Sequence, residues 1–370
     1  MPASEAEVAD LVRDAARAGL TVRVAGAGHS FMPIAASDGL LLSADRLQGV
    51  LAVNVERRRA TIGAGTRITA LGEPLTSHGL ALANQGDIDV QAIAGAISTG
   101  THGTGTSLGS LSTMVRGVRL VDGRGEIVDI GEDRPDILKA AALSVGSVGA
   151  ILSATLQLVP AYRLHERVWY EPIGPVMERL DALIAATRHF EFFWRPKTDD
   201  CECKALNPTD LPPDPMTGHE GERIDHAWRV FPSVRQTRFV ESEWSVPAAR
   251  GPSCFAAIRR LMQERFPEIV MPIEYRTVAA DDLPLSPNHG RASVAISIHH
   301  FPHLDWLGFF NAAQPVFLDH GGRPHWGKWH ALKRADFERL YPAFDAFRDA
   351  RATLDPDGLF LSPAARAFFG

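Results

Sequence analysis

The sequence predicts an α+β fold in two domains, the second built on an antiparallel sheet, and three observations carry that expectation. At 370 residues the chain exceeds what one core usually holds and suits two. Up to about Pro160 helical and strand periodicities alternate, whereas over 161–330 short strand-like runs dominate, with helical stretches between some of them. With 45% hydrophobic and 22% charged residues, the composition supports a large core and argues against disorder.

The elements follow in order. Ser4 with Glu7 makes a capping-box pattern, Val8, Leu11, Val12 and Ala15 share one helical face, and Gly19 supplies a stop. A strand over Thr21 to Ala25 comes next. The runs "GVLAVNV" and "RATIGAG" read as strands, and an apolar helix near Thr69 to Ser77 ends at Gly79. "VRGVRLVDGRGEIVDI" reads as two strands about a turn at Asp122 and Gly123, and "GAILSATLQLVP" as the last strand of the first domain, 1–160. In the second domain strands are expected at Glu166 to Glu171, Phe190 to Trp194, Arg238 to Ser245, Ile273 to Val278 and Ala292 to His299. Helices are expected near Pro175 to Thr187, Phe255 to Phe266 and Leu304 to His320. "NPTDLPPDPMTGHEGE" is expected as an exposed loop. A helix near Asp336 to Leu354 and the stretch "DPDGLFLSP", within 331–370, are expected to return to the first domain.

Charge and cysteine usage narrow the function. The net charge of −6 comes without a basic stripe, so a nucleic-acid partner is not expected. No apolar run reaches the ~18 residues of a membrane span, and the N-terminus lacks the basic-then-apolar pattern of a secretory signal. Cys201 and Cys203 are too close for a mutual bridge, and with Cys254 the count is odd. Reduced thiols and a cytoplasmic location are the expectation.

Two glycine-rich turns carry the chemistry. "AGAGHSF" follows a strand, and "AGAISTGTHGTG" begins at Ala94. Without a Cβ in the way, backbone N–H groups can converge on an anion, and Ser98, Thr99, Thr101 and Thr104 add hydroxyls. Two cradles suggest a diphosphate. Phe31 stands where a dinucleotide fingerprint needs its third glycine, and "GHSFM" lacks the second glycine of a nucleophile elbow.

"VRVAGAGHSF", "GDIDVQAIAGAISTGTHGTG", "FEFFWRPKTDD", "IEYRTVAADDLPLS", "RPHWGKWH" and "LDPDGLFLS" together resemble the FAD-dependent aldonolactone oxidase group. That group includes gulonolactone and arabinonolactone oxidases and, more distantly, alditol oxidase, within the vanillyl-alcohol oxidase superfamily. The resemblance runs from about Pro2 to the C-terminus. It implies a two-domain fold of the vanillyl-alcohol oxidase type, with FAD at the junction.

Carried over by position, His29 matches a histidine bonded to the flavin 8α-methyl, a role suited to a neutral imidazole. Val24, Ala25, Gly26, Ala27, Gly28 and Ser30 would line the FAD diphosphate, with Ala92, Gly95, Thr99, Gly100, Thr101 and His102 opposite. Ile151 and His325 match further cofactor contacts. Gly86 matches a position beside the oxygen-reacting carbon, where the missing Cβ would leave room for oxygen.

On the substrate side the resemblance implies Glu274, Arg276 and Lys328 as catalytic residues. Glu274 and Arg276 lie two apart in a strand and so share a face, while Tyr275 faces away. A carboxylate accepts from sugar hydroxyls, and a guanidinium donates to a hydroxyl or lactone oxygen. Asp87 and His299 stand where alditol oxidases place a serine and a threonine, and both are expected to touch substrate. The Glu-x-Arg pair itself is closer to alditol oxidase.

The implied reaction is oxidation of an alcohol carbon of a sugar lactone, with hydride passing to flavin and then electrons to oxygen or another acceptor. Alditol oxidation is the alternative. A metal-dependent hydrolase is the distant rival, since His325 and His330 of "HWGKWH" fit no metal spacing and no metal is expected. A non-catalytic FAD- or sugar-binding module is the other.

Overall fold

Ile273 and Tyr275 point to one side of their strand, Glu274 and Arg276 to the other, and this alternation organises the larger sheet of the protein. The computed structural model describes residues 1–214, 221–233 and 237–369. Eight strands lie antiparallel in the order Glu222–His226, Arg163–Pro172, Asp200–Thr209, His189–Arg195, Ile273–Val278, Ser293–His300, Val240–Pro247 and Arg323–Pro324.

One face of this sheet is aromatic and is covered by two helices, Gly251–Arg265 and Trp306–Asp319. Tyr275 stacks on Phe192 at 4.8 Å, Phe255 of the first helix meets Phe192 edge-on at 5.3 Å, and Phe317 of the second stacks on Trp244 at 5.6 Å. The opposite face carries Lys204, Glu191, Glu274, Arg276, Glu241 and Glu243, all buried. Such a face can be buried only if what covers it supplies polar partners. These side chains pair with one another and with groups of the covering segments: Lys204 with Glu191, Arg276 with Glu243, Lys328 with Glu241, and His102 of the second glycine-rich segment with Glu243.

The first part of the chain holds a five-stranded antiparallel sheet, ordered Val50–Asn54, Arg59–Gly63, Ala150–Gln157, Val115–Val121 and Ile127–Gly131. A parallel pair, Val22–Ala25 with Leu40–Ser43, leads into the first glycine turn. Helix Glu5–Arg17 buries Val8, Val12 and Ala15 and is capped by Ser4, which accepts from Glu7 N at 3.2 Å. The Glu7 carboxylate accepts from Ala3 N rather than Ser4 N, so only one arm of the expected box forms.

Several expectations are corrected. Asp200–Thr209 is a central strand, which takes Asn207–Thr209 out of the expected loop; residues 215–220 of that loop lie outside the described residues. The expected helix from Pro175 to Thr187 is two short ones, Ile173–Glu178 and Leu180–Ala185. The expected helix from Asp336 to Leu354 is also two, Arg334–Leu340 and Phe344–Leu354. Pro342 explains that break: it has no N–H to donate and forces Tyr341 into extended backbone, φ −106° and ψ 105°. A final helix, Pro363–Phe369, was not foreseen. Among the described residues, no helix is long and apolar enough to cross a membrane.

Candidate active site

The two glycine turns face each other. A methyl group added at Gly26 would lie 3.2 Å from the Ala92 side chain and 3.9 Å from Gly95 Cα, so the two turns are in close contact there and a side chain would crowd Ala92. Gly28 has φ +72°, a conformation that L side chains rarely adopt, and it places His29 and Ser30 at the end of the turn. Gly100, at φ +76°, ends helix Ile93–Thr99 and turns the chain into Thr101 and His102. The returning segment joins them, since Phe31 N donates to Gly327 O at 2.7 Å. His29, Arg67 and Lys328 are thereby brought close enough to interact electrostatically.

Between these turns and the polar sheet face lies a cavity of about 490 Å³. Gly86, Asp87, Gln91, Thr101 and His102 line it from the first part of the chain, and Glu241, Glu243, Glu274, Arg276, His299, His325 and Lys328 from the remainder. Strand register sets the spacing. Ser297 lies opposite both Glu274 and Glu243, and His299 opposite Glu241, so three adjacent strands present one continuous polar row.

Charges in the cavity are matched locally. Arg276 Nη2 bonds Glu243 Oε2 at 2.5 Å and Glu274 Oε2 at 3.2 Å. Lys328 is ion-paired with Glu241, and His299 Nε2 lies 3.7 Å from that same carboxylate. Burial pushes the Glu274 carboxyl up to about 8, only partly offset by Arg276. Burial acts on Glu243 in the same sense, but the neighbouring Arg276 and the hydrogen-bonded His102 outweigh it and hold that carboxyl well below its ordinary value. Desolvation, then Lys328 and Arg67, hold His29 below the ordinary histidine value, which favours its neutral imidazole. Burial drives His325 down to about 3.

Of the predicted residues, Gly86, Asp87, Thr101, His102, Glu274, Arg276, His299, His325 and Lys328 line the cavity, whereas Val24 to Ser30, Ala92, Gly95, Thr99 and Gly100 lie outside its wall. The Thr99 hydroxyl donates to Gly95 O and the Thr104 hydroxyl to Phe190 O, so neither is directed to a phosphate. Ile151 is buried in the apolar core and, like the residues of the first glycine turn, is not part of the cavity wall. Gly86 lines the cavity, and a methyl group there would press on His102 O at 3.0 Å. Asp87 lines the cavity but its carboxylate is held from behind by Lys204 at 3.1 Å and by the Ser233 hydroxyl at 3.2 Å. Glu241, Glu243, Gln91 and Lys204 were missed. Only "VESEW" carried a hint, the same period of two that marked Glu274 and Arg276.

The residues present fit an FAD. Gln91 Oε1, Thr101 Oγ1, Arg67 Nη1 and Arg276 Nε are buried and have no hydrogen-bond partner among the described residues, as expected of groups awaiting a ligand. Glu241, Glu274 and His299 also offer donor atoms within 4.8 Å of one another, a spacing that could hold a metal ion. Lys328 and Arg276 already match those two carboxylates. His330, the second histidine of "HWGKWH", is instead packed among Trp326, Phe337 and Phe368.

Comparison with known proteins agrees with this geometry. Residues 1–131 match the FAD binding domain, and residues 154–226 and 216–368 match D-arabinono-1,4-lactone oxidase. The chain is 34% identical to L-gulono-1,4-lactone dehydrogenase of Mycobacterium tuberculosis, over 100% of this chain and 95% of that one. It is 29% identical to L-gulonolactone oxidase of Mus musculus, over 98% and 92%. A histidine-to-alanine variant of cholesterol oxidase from Brevibacterium sterolicum shares the fold, with a TM-score of 0.86 at 18% identity over 100% and 93% of the chains. The chain belongs to the D-arabinono-1,4-lactone oxidase family of FAD-dependent oxidoreductases.

Proposed function

We propose that this enzyme oxidises an alcohol carbon of a sugar-derived lactone of the gulono- or arabinono-1,4-lactone type, passing electrons to oxygen, with hydrogen peroxide as product, or to another acceptor. The observation that carries the reading is the convergence of Glu274, Arg276, His299 and Lys328 on the cavity beside the two glycine turns. When bound, FAD supplies the hydride acceptor. Gly26 to Ser30, Ala92, Gly95, Thr101, His102 and His325 would hold it, with Gln91 and Arg67 added to that set. His29, favoured as the neutral imidazole, would carry the covalent link.

The remaining groups act on the substrate. Glu274 accepts from ring or side-chain hydroxyls, and Arg276 donates to the lactone oxygens. Lys328, oriented by Glu241, would stabilise negative charge as the hydroxyl proton passes to a nearby base or water. An open-chain alditol, the second reading, offers the same vicinal hydroxyls to Glu274 and Arg276 but no carbonyl. Residues 1–160 and 331–370 form the cofactor-binding unit in this reading, and 161–330 the substrate unit. Three buried free cysteines fit a reducing, cytoplasmic location.

The test is the absorption spectrum of the purified protein before and after acid precipitation, with peroxide detection on aldonolactones and alditols. Yellow colour that stays in the pellet, and is lost from it in His29→Ala, is the expected result. Colour released to the supernatant removes the histidyl link, and a protein that neither holds nor takes up FAD overturns the reading.

A further inference from the structure

Glu243 and His102 are both nearly sealed from solvent, with side chains 1% and 4% exposed. His102 belongs to the second glycine-rich turn and Glu243 to the sheet facing it, and both line the cavity. The proton count of this pair follows from its neighbours. His102 Nδ1 lies 2.8 Å from Gly103 O, a carbonyl that can only accept, so Nδ1 carries hydrogen. His102 Nε2 lies 2.9 Å from Glu243 Oε1, and neither a bare ring nitrogen nor a carboxylate can donate to the other. One further proton must therefore sit between them.

The other carboxylate oxygen decides which partner holds it. Glu243 Oε2 accepts from Arg276 Nη2 at 2.5 Å and from the Ser297 hydroxyl at 2.8 Å. A carboxylate receiving two donors on one oxygen, one of them a guanidinium, is stabilised as the anion. Other titratable groups near the pair are Glu274, which shares Arg276, Glu241, two residues along the strand of Glu243 and paired with Lys328, and His325, whose ring centre is 6.0 Å from that of His102. His325 Nδ1 accepts from Gly327 N at 3.1 Å, so that ring stays singly protonated.

We infer that Glu243 is a positioning residue with two roles: it holds His102 protonated on both ring nitrogens, and it turns Arg276 toward the substrate side of the cavity. His102 then places a fixed positive charge on the turn that would hold the cofactor, where it would stabilise negative charge gained by a bound flavin. Arg276, fixed through Nη2, leaves its buried Nε for a ligand. The catalytic consequence rests on the flavoenzyme reading above, whereas the state of His102 does not.

The experiment is nitrogen NMR of ¹⁵N-histidine-labelled protein at about pH 8, where an ordinary histidine is neutral. The His102 resonances are assigned by their loss in His102→Gln. The expected wild-type pattern is two protonated ring nitrogens. Glu243→Gln should convert it to a neutral ring, because the amide donates to Nε2. Ser297→Ala, which removes a bond to Glu243 but no charge, should leave it unchanged. In Glu243→Gln that retains its FAD, kcat/KM for the lactone should fall about 10²-fold, the scale of a misplaced catalytic group.

A neutral His102 in the wild type overturns the inference, as does an unchanged His102 pattern in Glu243→Gln. If Glu243→Gln does not fold, the wild-type pattern decides alone. A colourless protein with doubly protonated His102 would refute the flavoenzyme reading and leave the pairing intact.

Discussion

Glu274 is a carboxyl that the fold keeps partly protonated. Its ordinary value is 4.5, and burial raises it to about 8 despite the neighbouring Arg276. The folded protein therefore binds this proton more tightly than the unfolded chain does. Its contribution to stability is complete below the unfolded value and is lost as pH rises through about 8. Glu274→Gln is uncharged at every pH and lacks this dependence. The stability of the wild type relative to Glu274→Gln should thus decline between about pH 5 and pH 9, read from urea midpoints across that range. A difference that stays constant would contradict the burial of this carboxyl. Glu274 and Arg276 were legible in sequence because a family motif marked them. Glu241 and Glu243 have the same spacing, but an alternating acidic pair looks the same on a solvated sheet face as on a buried one. Lys204, which holds Asp87, comes from a strand whose sequence reads as polar, and nothing local reports a partner 117 residues away.

Elements were legible where their pattern is local, and obscure where neighbours decide them. Ile273–Val278 was read to the residue, and the turn at Asp122 is closed by its own carboxylate, which accepts from Arg124 N and Glu126 N. Asp200–Thr209 was missed because it is flanked by strands on both sides and owes its conformation to them. The short helix Gly72–Thr76 shows how closely elements from the two parts of the chain approach. A methyl group at Gly72 would lie 2.1 Å from the Trp228 ring, which comes from the short helix Ala227–Val230. Gly72→Ala should therefore destabilise the protein by roughly 1–3 kcal/mol, the usual cost of overpacking, even though alanine is the better helix former. Trp228→Leu in the same chain should recover most of that loss. Denaturant midpoints of the two variants check this, and a Gly72→Ala protein as stable as the wild type would mean the ring moves aside freely.

At the scale of the molecule, the chain must close on itself before the site exists. The first strand carries the residue that ties this closure together. Arg23 is 3% exposed, and burial lowers its guanidinium to about 10. Its Nη1 donates to Gly146 O at 2.7 Å and Phe360 O at 3.2 Å, and its Nη2 to Val145 O at 2.8 Å and to Ile34 O. One side chain thus joins the loop after the histidine turn, the loop before the central strand Ala150–Gln157, and the C-terminal segment. Beside it, Val22 N donates to Leu359 O at 2.8 Å, and the buried Asp355 carboxylate accepts from Leu359 N and Phe360 N. Arg23→Met fills the same space but leaves four carbonyls, three of them buried, without this donor. Stability should fall by on the order of 3 kcal/mol, since each orphaned acceptor keeps its desolvation cost. The loss should also be uneven. Cleavage by a protease under native conditions should first appear in the segment after Leu354, because that segment has lost its tie to the first strand. His29 lies six residues beyond Arg23, at the end of the turn this strand leads into, so FAD affinity should weaken alongside. If Arg23→Met is cleaved uniformly, or retains both its stability and its FAD, the closure does not depend on this side chain and must rest on the Val22 and Asp355 bonds instead.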